Sequence, residues 1–99
     1  MTEEQIQTSC ITWFNFHYPK YKDLLVHHHN NPRNPINGAR LKKLGLKAGI
    51  PDLILYVPNS DYYGLFIEMK NEKGKLSTKQ KEYKKLLQEQ GYKWELCRS

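Results

Sequence analysis

The chain has 99 residues, of which 16 are Lys or Arg and 10 are Asp or Glu, so its formal net charge is +6. This length suits one domain with a modest core, and the positive charge favours a polyanionic partner such as nucleic acid. The longest apolar run, residues 53–57, is far too short to span a bilayer, and we expect no signal peptide before Thr2.

The first half of the chain predicts a helix, a strand and a shorter helix. Thr2 and Gln5 form a capping-box pattern, and apolar residues then recur at helical spacing. In the shorter helix, Leu41 and Leu44 are expected on the buried side. In chain order, the predicted elements are a helix from Thr2 to residues 18–19, a strand over 24–29, a loop over 30–35 and a helix over 37–46.

The second half predicts two apolar strands, a helix and a final strand. Ser77 and Gln80 form a second capping-box pattern, and Leu86 and Leu87 are expected on the inner face of the helix that follows. The predicted elements are strands over 52–57 and 65–70, a helix from Ser77 to Gly91 and a strand over 92–97. The order α-β-short α-β-β-α-β predicts an α/β fold, a central mixed sheet flanked by helices.

Three charged residues interrupt the two central apolar strands. Glu68 and Lys70 are two residues apart, so they point to one face of their strand, and Asp52 can join them if the two strands pair. Mg²⁺ needs only one or two protein carboxylates, and a nearby ammonium can act on a water or on a phosphate. The set therefore indicates phosphodiester hydrolysis.

Each of these residues also has a purely structural interpretation. Glu68 and Lys70 could form an ion pair on an exposed strand, where charged side chains deter aggregation. Asp52 could be a turn residue after Pro51. The linked pattern of a Gly-x-Pro-Asp turn, two apolar strands and a closing Glu-x-Lys favours the catalytic interpretation over three unrelated surface features.

The chain resembles the PD-(D/E)xK nuclease superfamily and, within it, the small VRR-NUC family. Asp52 matches the first acidic position, and Glu68 and Lys70 match the (D/E)xK pair. Three further blocks extend the resemblance over most of the chain. They are Glu3-Glu4-Gln5-Ile6-Gln7, Lys47-Ala48-Gly49-Ile50-Pro51-Asp52 and Gly74-Lys75-Leu76-Ser77-Thr78-Lys79-Gln80.

The resemblance implies a restriction-endonuclease-like domain over residues 1–99 that uses Mg²⁺ or Mn²⁺. Asp52 and Glu68 would bind the metal with their side chains, and Met69 would contribute its backbone carbonyl. Lys70 would act on the attacking water.

Two further site residues are implied, and each has a structural alternative. Glu3 is similar to the helix glutamate that completes the acidic site, directly or through water, with Glu4 as the alternative if the register differs by one. Gln80 matches a glutamine near the site that helps to place Lys70 or a phosphate. Glu3 could instead interact with the positive end of the helix dipole, and Gln80 could instead complete a capping box.

Basic residues near this site are candidate contacts to DNA. Lys73, Lys75 and Lys79 surround the predicted site-side loop and helix entrance, and Arg40 is expected to contact DNA as well. A solvated helix face is the alternative for the lysines. Because no element resembles a recognition helix, we expect the protein to recognise DNA shape.

The remaining histidines and cysteines do not predict a metal site. Consecutive residues of a strand point to opposite faces, so His27, His28 and His29 cannot all bind one zinc ion, and structural or phosphate-contacting roles are favoured. Cys10 and Cys97 have no neighbour at ligand spacing, and we expect both to be reduced, without a disulfide.

The resulting hypothesis is a metal-dependent DNA endonuclease that acts as a homodimer on branched DNA, either a Holliday junction or a flap. The resemblance to stand-alone junction resolvases implies the homodimer and a bacterial cytoplasm, with a phage or prophage as the alternative origin. A non-catalytic DNA-binding module and a sequence-specific restriction-type enzyme on the same fold remain alternative hypotheses.

Overall fold

The computed structural model describes residues 1–28 and 35–98, except for the side chains of 35–37. It contains three α-helices, one 3₁₀-helix and four strands within these ranges. They are α1 (Glu3–His17), the 3₁₀-helix (Pro19–Leu24), β1 (Leu25–His27), α2 (Pro35–Lys43), β2 (Leu53–Leu55), β3 (Leu65–Lys70), α3 (Thr78–Glu89) and β4 (Lys93–Arg98). The predicted order of helices and strands is confirmed, and the 3₁₀-helix is an addition to it.

The four strands form one mixed sheet in the order β1-β2-β3-β4. β2 pairs antiparallel with both β1 and β3, whereas β3 and β4 are parallel. The two most apolar strands, β2 and β3, are therefore central, where both of their faces are covered. This arrangement confirms the predicted α/β fold with a central mixed sheet.

The core consists of two clusters, one on each face of the sheet, because alternate residues of a strand point to opposite sides. On one face, α1 packs through Ile6 against Leu53 and Met69. The other face carries the second cluster and is covered by α3. Its buried members are Ile54, Phe66 and Trp94, and Leu87 of α3 packs against them.

Both predicted capping boxes are present, and they fix where the two longer helices begin. The Thr2 Oγ1 accepts a hydrogen bond from the Gln5 N–H at 3.1 Å, and the Gln5 Oε1 accepts one from the Thr2 N–H at 2.9 Å. Ser77 and Gln80 repeat the pattern at the start of α3. Each box satisfies two backbone donors that a helix leaves unpaired at its first turn.

The predicted strand over 24–29 is wrong at its start. Leu24 lies in the 3₁₀-helix, which has Pro19 at its N-terminus, and β1 contains only Leu25–His27. His29 and residues 30–34 of the predicted loop over 30–35 lie outside the described residues, and the last residue of that loop, Pro35, begins α2.

Two leucines predicted to be buried are exposed. Leu44 is 73% exposed because it follows the end of α2, and Leu86 of α3 is 57% exposed. Residues 86 and 87 point about 100° apart on a helix, and in this structure Leu87 takes the position against the sheet.

Cys10 of α1 and Cys97 of β4 face each other without a disulfide. Their Sγ atoms are 3.6 Å apart, and both thiols are free. Burial, followed by the neighbouring Cys97, raises the pKa of Cys10 to about 11. No disulfide is found within the described residues. Within the described ranges, no helix has the length and apolar character needed to cross a membrane.

Gly49 allows the segment before Asp52 to pack against the first turn of α3. Its φ of +85° is in the left-handed region, and a Cβ there would lie 2.5 Å from both C and O of Lys79 and 2.9 Å from the Gln80 N. Any side chain at position 49 would therefore collide with backbone atoms. This contact holds the Pro51-Asp52 turn beside α3.

We predict that Gly49→Ala destabilises the protein more than Gly45→Ala, its matched control. Gly45 also has a positive φ, of +107°, but a Cβ there would meet no atom within 4 Å. Gly45→Ala should cost about 1 kcal/mol of backbone strain, and the collision at Gly49 should add about 2 kcal/mol. Urea unfolding measures both, and equal losses would contradict the packing role of Gly49.

Candidate active site

Pairing of β2 with β3 brings Asp52 and Glu68 to the same place. The antiparallel register pairs Leu53 with Ile67, and continuing it by one residue places Asp52 opposite Glu68. Side chains directly opposite in an antiparallel pair have Cβ atoms about 5 Å apart and share one face of the sheet. The structure therefore brings these two predicted residues together.

The Asp52 side chain extends the ladder between the two strands. Its Oδ2 accepts a hydrogen bond from the Met69 N–H at 2.8 Å. When the register is continued, Met69 lies opposite Pro51, just beyond the last regular pair of the two strands. The Asp52 carboxylate therefore accepts from a backbone N–H at the end of the ladder. Asp52 is thus held by the strand that carries Glu68 and Lys70.

The backbone of Asp52 is held from the other side by His28, the residue that follows β1. The His28 N–H donates to the Asp52 carbonyl at 2.7 Å. The His28 Nδ1 lies 3.1 Å from the Pro51 carbonyl, which can only accept, and the ring stacks on Phe66. The structural interpretation of His28 agrees with these contacts, although sequence spacing gave no indication of its partners.

Glu68 is a buried acid, with only 2% of its surface exposed. Its Oε1 accepts a hydrogen bond from Gln80 Nε2 at 2.9 Å, and its Oε2 is buried and accepts none from the described residues. Burial, followed by the charge and hydrogen bonding of Asp52, raises the pKa of Glu68 to about 8, and the nearby Lys70 opposes that rise. At neutral pH, Glu68 therefore keeps a proton unless a cation compensates its charge.

Gln80 completes the capping box, its structural alternative, and it also reaches the acidic site, where its described bond is to Glu68. Its Oε1 accepts the Ser77 N–H at 2.9 Å and so completes the capping box, while its Nε2 donates to Glu68. The described hydrogen bonds of the Gln80 side chain do not include one to Lys70. The start of α3 therefore fixes the orientation of the buried acid.

Lys70 and Glu3 meet at the edge of this site. The Lys70 Nζ lies 3.9 Å from the Glu3 Oε1, and the lysine side chain is only 14% exposed whereas that of Glu3 is 46% exposed. Glu3 is the first residue of α1. Of the two glutamates considered, the structure pairs Glu3, and not Glu4, with the lysine.

The predicted DNA contacts are exposed, and they come from different elements. Lys73 and Lys75 follow β3, Lys79 is in the first turn of α3, and Arg40 lies on α2. Lys79 is paired with Glu82 at 3.9 Å in solvent, which contributes little to stability. In the part of the chain that is described, no hydrogen bond or ion pair joins Arg40 to Asp52, Glu68 or Lys70.

The acidic pair fits a hard cation that keeps most of its water. The described residues contain no cluster of three or more His, Cys, Asp or Glu with the geometry of a metal site. Mg²⁺ and Mn²⁺ do not need one, since one or two carboxylates with water complete their shell. Asp52, the unsatisfied Oε2 of Glu68 and the Met69 carbonyl supply ligands of this kind.

Comparison with known proteins points to one family. The model of the VRR-NUC domain family matches residues 1–99. A solved structure described as a VRR-NUC domain protein is 30% identical and superimposes with a TM-score of 0.83, covering 100% of this chain and 78% of that one. No curated protein matches the chain.

We predict that Glu68→Gln stabilises the metal-free protein at high pH. The pKa of Glu68 is about 8 in the folded protein, above its usual 4.5. As pH rises between these two values, residue 68 loses its proton in the unfolded chain but keeps it in the folded protein, so folding becomes less favourable. Glutamine keeps an acceptor for Gln80 and adds an amide that can donate to Asp52.

Melting curves in EDTA should therefore show a gain in Tm for Glu68→Gln that is large at pH 8.5 and small at pH 5. Glu89→Gln, at an exposed position of α3, is the matched control. A gain for Glu68→Gln that is the same at both pH values would contradict a buried, proton-holding carboxyl.

Proposed function

Because the chain belongs to the VRR-NUC domain family of nuclease-type DNA-processing modules, we propose that it is a divalent-metal-dependent DNA endonuclease with its active site at Asp52, Glu68 and Lys70. One observation carries this proposal. A buried glutamate with an unsatisfied oxygen stands opposite an aspartate, and a largely buried lysine follows on the same strand face.

The energetics of the acidic pair support a bound cation. Burial of a carboxylate is costly unless it is paired, and a second carboxylate beside it adds repulsion. Gln80 satisfies one oxygen of Glu68, and Lys70 compensates only part of the negative charge. A divalent cation would compensate both carboxylates together, which a structural ion pair with one lysine does not.

The site residues have separate roles in phosphodiester hydrolysis. Asp52, Glu68 and the Met69 carbonyl would hold the metal, with Glu3 joining directly or through water, and the bound metal supplies charge neutralisation at the phosphate and a more acidic water. Lys70, held near Glu3, orients or deprotonates the attacking water or stabilises charge at phosphorus.

The exposed lysines support DNA as the substrate. Lys73, Lys75 and Lys79 lie on the two segments that directly follow Lys70, the loop after β3 and the first turn of α3. Lysine side chains neutralise phosphates without reading bases. We therefore propose recognition of the DNA backbone and its shape, with Arg40 as an additional contact.

We further propose that the enzyme cuts branched DNA as a homodimer. A domain of 99 residues offers little surface for gripping a substrate, and one active site cuts one strand. A two-fold dimer would present two such sites to a symmetric junction and make paired nicks.

Loss of the charge of Asp52 or of Lys70 should slow cleavage strongly. In the presence of Mn²⁺, we expect Asp52→Asn and Lys70→Ala to cut DNA at least about a hundredfold more slowly than the wild type, since both act on the reacting groups. Lys22→Ala, which removes an exposed lysine from the 3₁₀-helix, is the charge-matched control and should cut normally.

Thermal shifts separate metal binding from catalysis. Mn²⁺ should raise the Tm of the wild type and of Lys70→Ala but not that of Asp52→Asn. Cleavage that persists in Lys70→Ala and Asp52→Asn would refute the site. DNA binding with no metal-dependent product would instead identify a non-catalytic module.

Substrate preference should follow DNA structure. We expect four-way junctions or flaps to be cut faster than linear duplex of the same sequence, and sedimentation to show a dimer. Equal cutting of all substrates would remove the selectivity while leaving the nuclease, and discrete plasmid fragments would indicate a sequence-specific enzyme.

A further inference from the structure

Arg98, the last residue of β4, lies next to Lys70. The parallel register pairs Lys70 with Arg98, so their side chains leave the same face of the sheet on adjacent strands. Two neighbouring cations repel each other, and such a pair is unfavourable unless other groups compensate it. In this structure, backbone carbonyls perform that role for Arg98.

The guanidinium of Arg98 is bonded to the loop that follows Lys70. We call residues 71–76 the Lys70 loop. Arg98 Nη1 donates to the carbonyls of Asn71, at 3.1 Å, and of Gly74, at 2.5 Å. These two acceptors lie at the two ends of one tight turn, so a single arginine nitrogen closes it.

The turn is also closed from within. The Gly74 N–H donates to the Asn71 carbonyl at 3.1 Å, and the Lys73 N–H donates to the Asn71 Oδ1 at 3.1 Å. Arg98 adds two bonds from β4 to this turn, which otherwise has its own short-range bonds and its chain connection to β3.

The Lys70 loop packs directly on the stem of Lys70. A Cβ built at Gly74 would lie 3.1 Å from the Lys70 Cδ and 3.5 Å from its Cβ. The backbone of Gly74 therefore forms a wall along the methylene groups of the lysine. This wall is consistent with the low exposure, 14%, of a side chain that otherwise extends into solvent.

We propose that Arg98 is a positioning residue that holds the ammonium of Lys70 in the active site by fixing Gly74 against the lysine stem. The proposal rests on the proposed function, because it concerns the residue assigned to the attacking water. A lysine carries four rotatable bonds, and restricting them places its ammonium before the substrate binds.

A direct contact from Arg98 to a DNA phosphate is the competing explanation, and kinetics distinguish the two. A positioning residue lowers kcat and leaves DNA affinity unchanged, because a misplaced catalytic group acts on the transition state. A phosphate contact weakens binding and reduces the salt dependence of the affinity.

The experiment compares Arg98→Ala with Arg98→Lys and with Lys93→Ala, which removes one charge from the other end of β4. We expect Arg98→Ala to lower kcat about ten- to a hundredfold with DNA affinity within twofold of wild type. Arg98→Lys should restore part of the rate, and Lys93→Ala should match the wild type.

Gly74→Ala tests the wall itself. Gly74 does not have a positive φ, so alanine adds no backbone strain, and its methyl group would press on the Lys70 stem. We expect the same loss of kcat with unchanged DNA affinity. In a Lys70→Ala background, Arg98→Ala should cause no further loss, since it acts through the lysine.

A labelling readout is independent of cleavage. Acetylation of Lys70, followed by mass spectrometry, should be slow in the wild type and at least about threefold faster in Arg98→Ala, because the lysine loses its wall. If the wild type cuts no substrate, the proposed function fails, and the labelling alone decides whether Arg98 holds Lys70. Unchanged labelling, or weaker DNA binding at unchanged kcat, overturns the proposal.

Discussion

The organisation of this protein depends on a pair of carboxyl groups, one of them buried, that face each other across two antiparallel strands. Glu68 is enclosed by the fold, and Asp52 stands opposite it. Burial and the neighbouring carboxylate make the charged form of Glu68 unfavourable, so a proton or a compensating cation stabilises this acid. The neighbouring elements compensate the pair in part, through the Gln80 amide and the charge of Lys70 at Glu68 and through the Met69 N–H at Asp52.

Several separate segments converge on this pair, and each is fixed by a local device. Gly49 lets the turn before Asp52 contact the backbone of α3, and the capping box of α3 presents Gln80 to Glu68. The capping box of α1 starts the helix at Glu3, which then reaches Lys70. Features that ordinarily only begin a helix or permit a turn thus also set the geometry of the site.

Much of the fold followed from the sequence because its signals are local. The apolar runs of β2 and β3, the two capping boxes and the turn residues predicted the element order and the mixed sheet. The errors arose where burial depends on which neighbour is present. Leu44 and Leu86 have the spacing of buried residues, but Leu44 lies beyond the end of α2, and Leu87 takes the position against the sheet.

The sequence by itself determined which chemical groups are available, an aspartate, a glutamate and a lysine on two neighbouring strands, because residue type and strand periodicity are local properties. Only the tertiary structure decided that Asp52 stands opposite Glu68. It also decided that Gln80 both completes a helix cap and donates to Glu68, and that Arg98 bonds to the loop beside Lys70. Strand register and contacts between residues distant in the chain arise from packing, which no local pattern specifies.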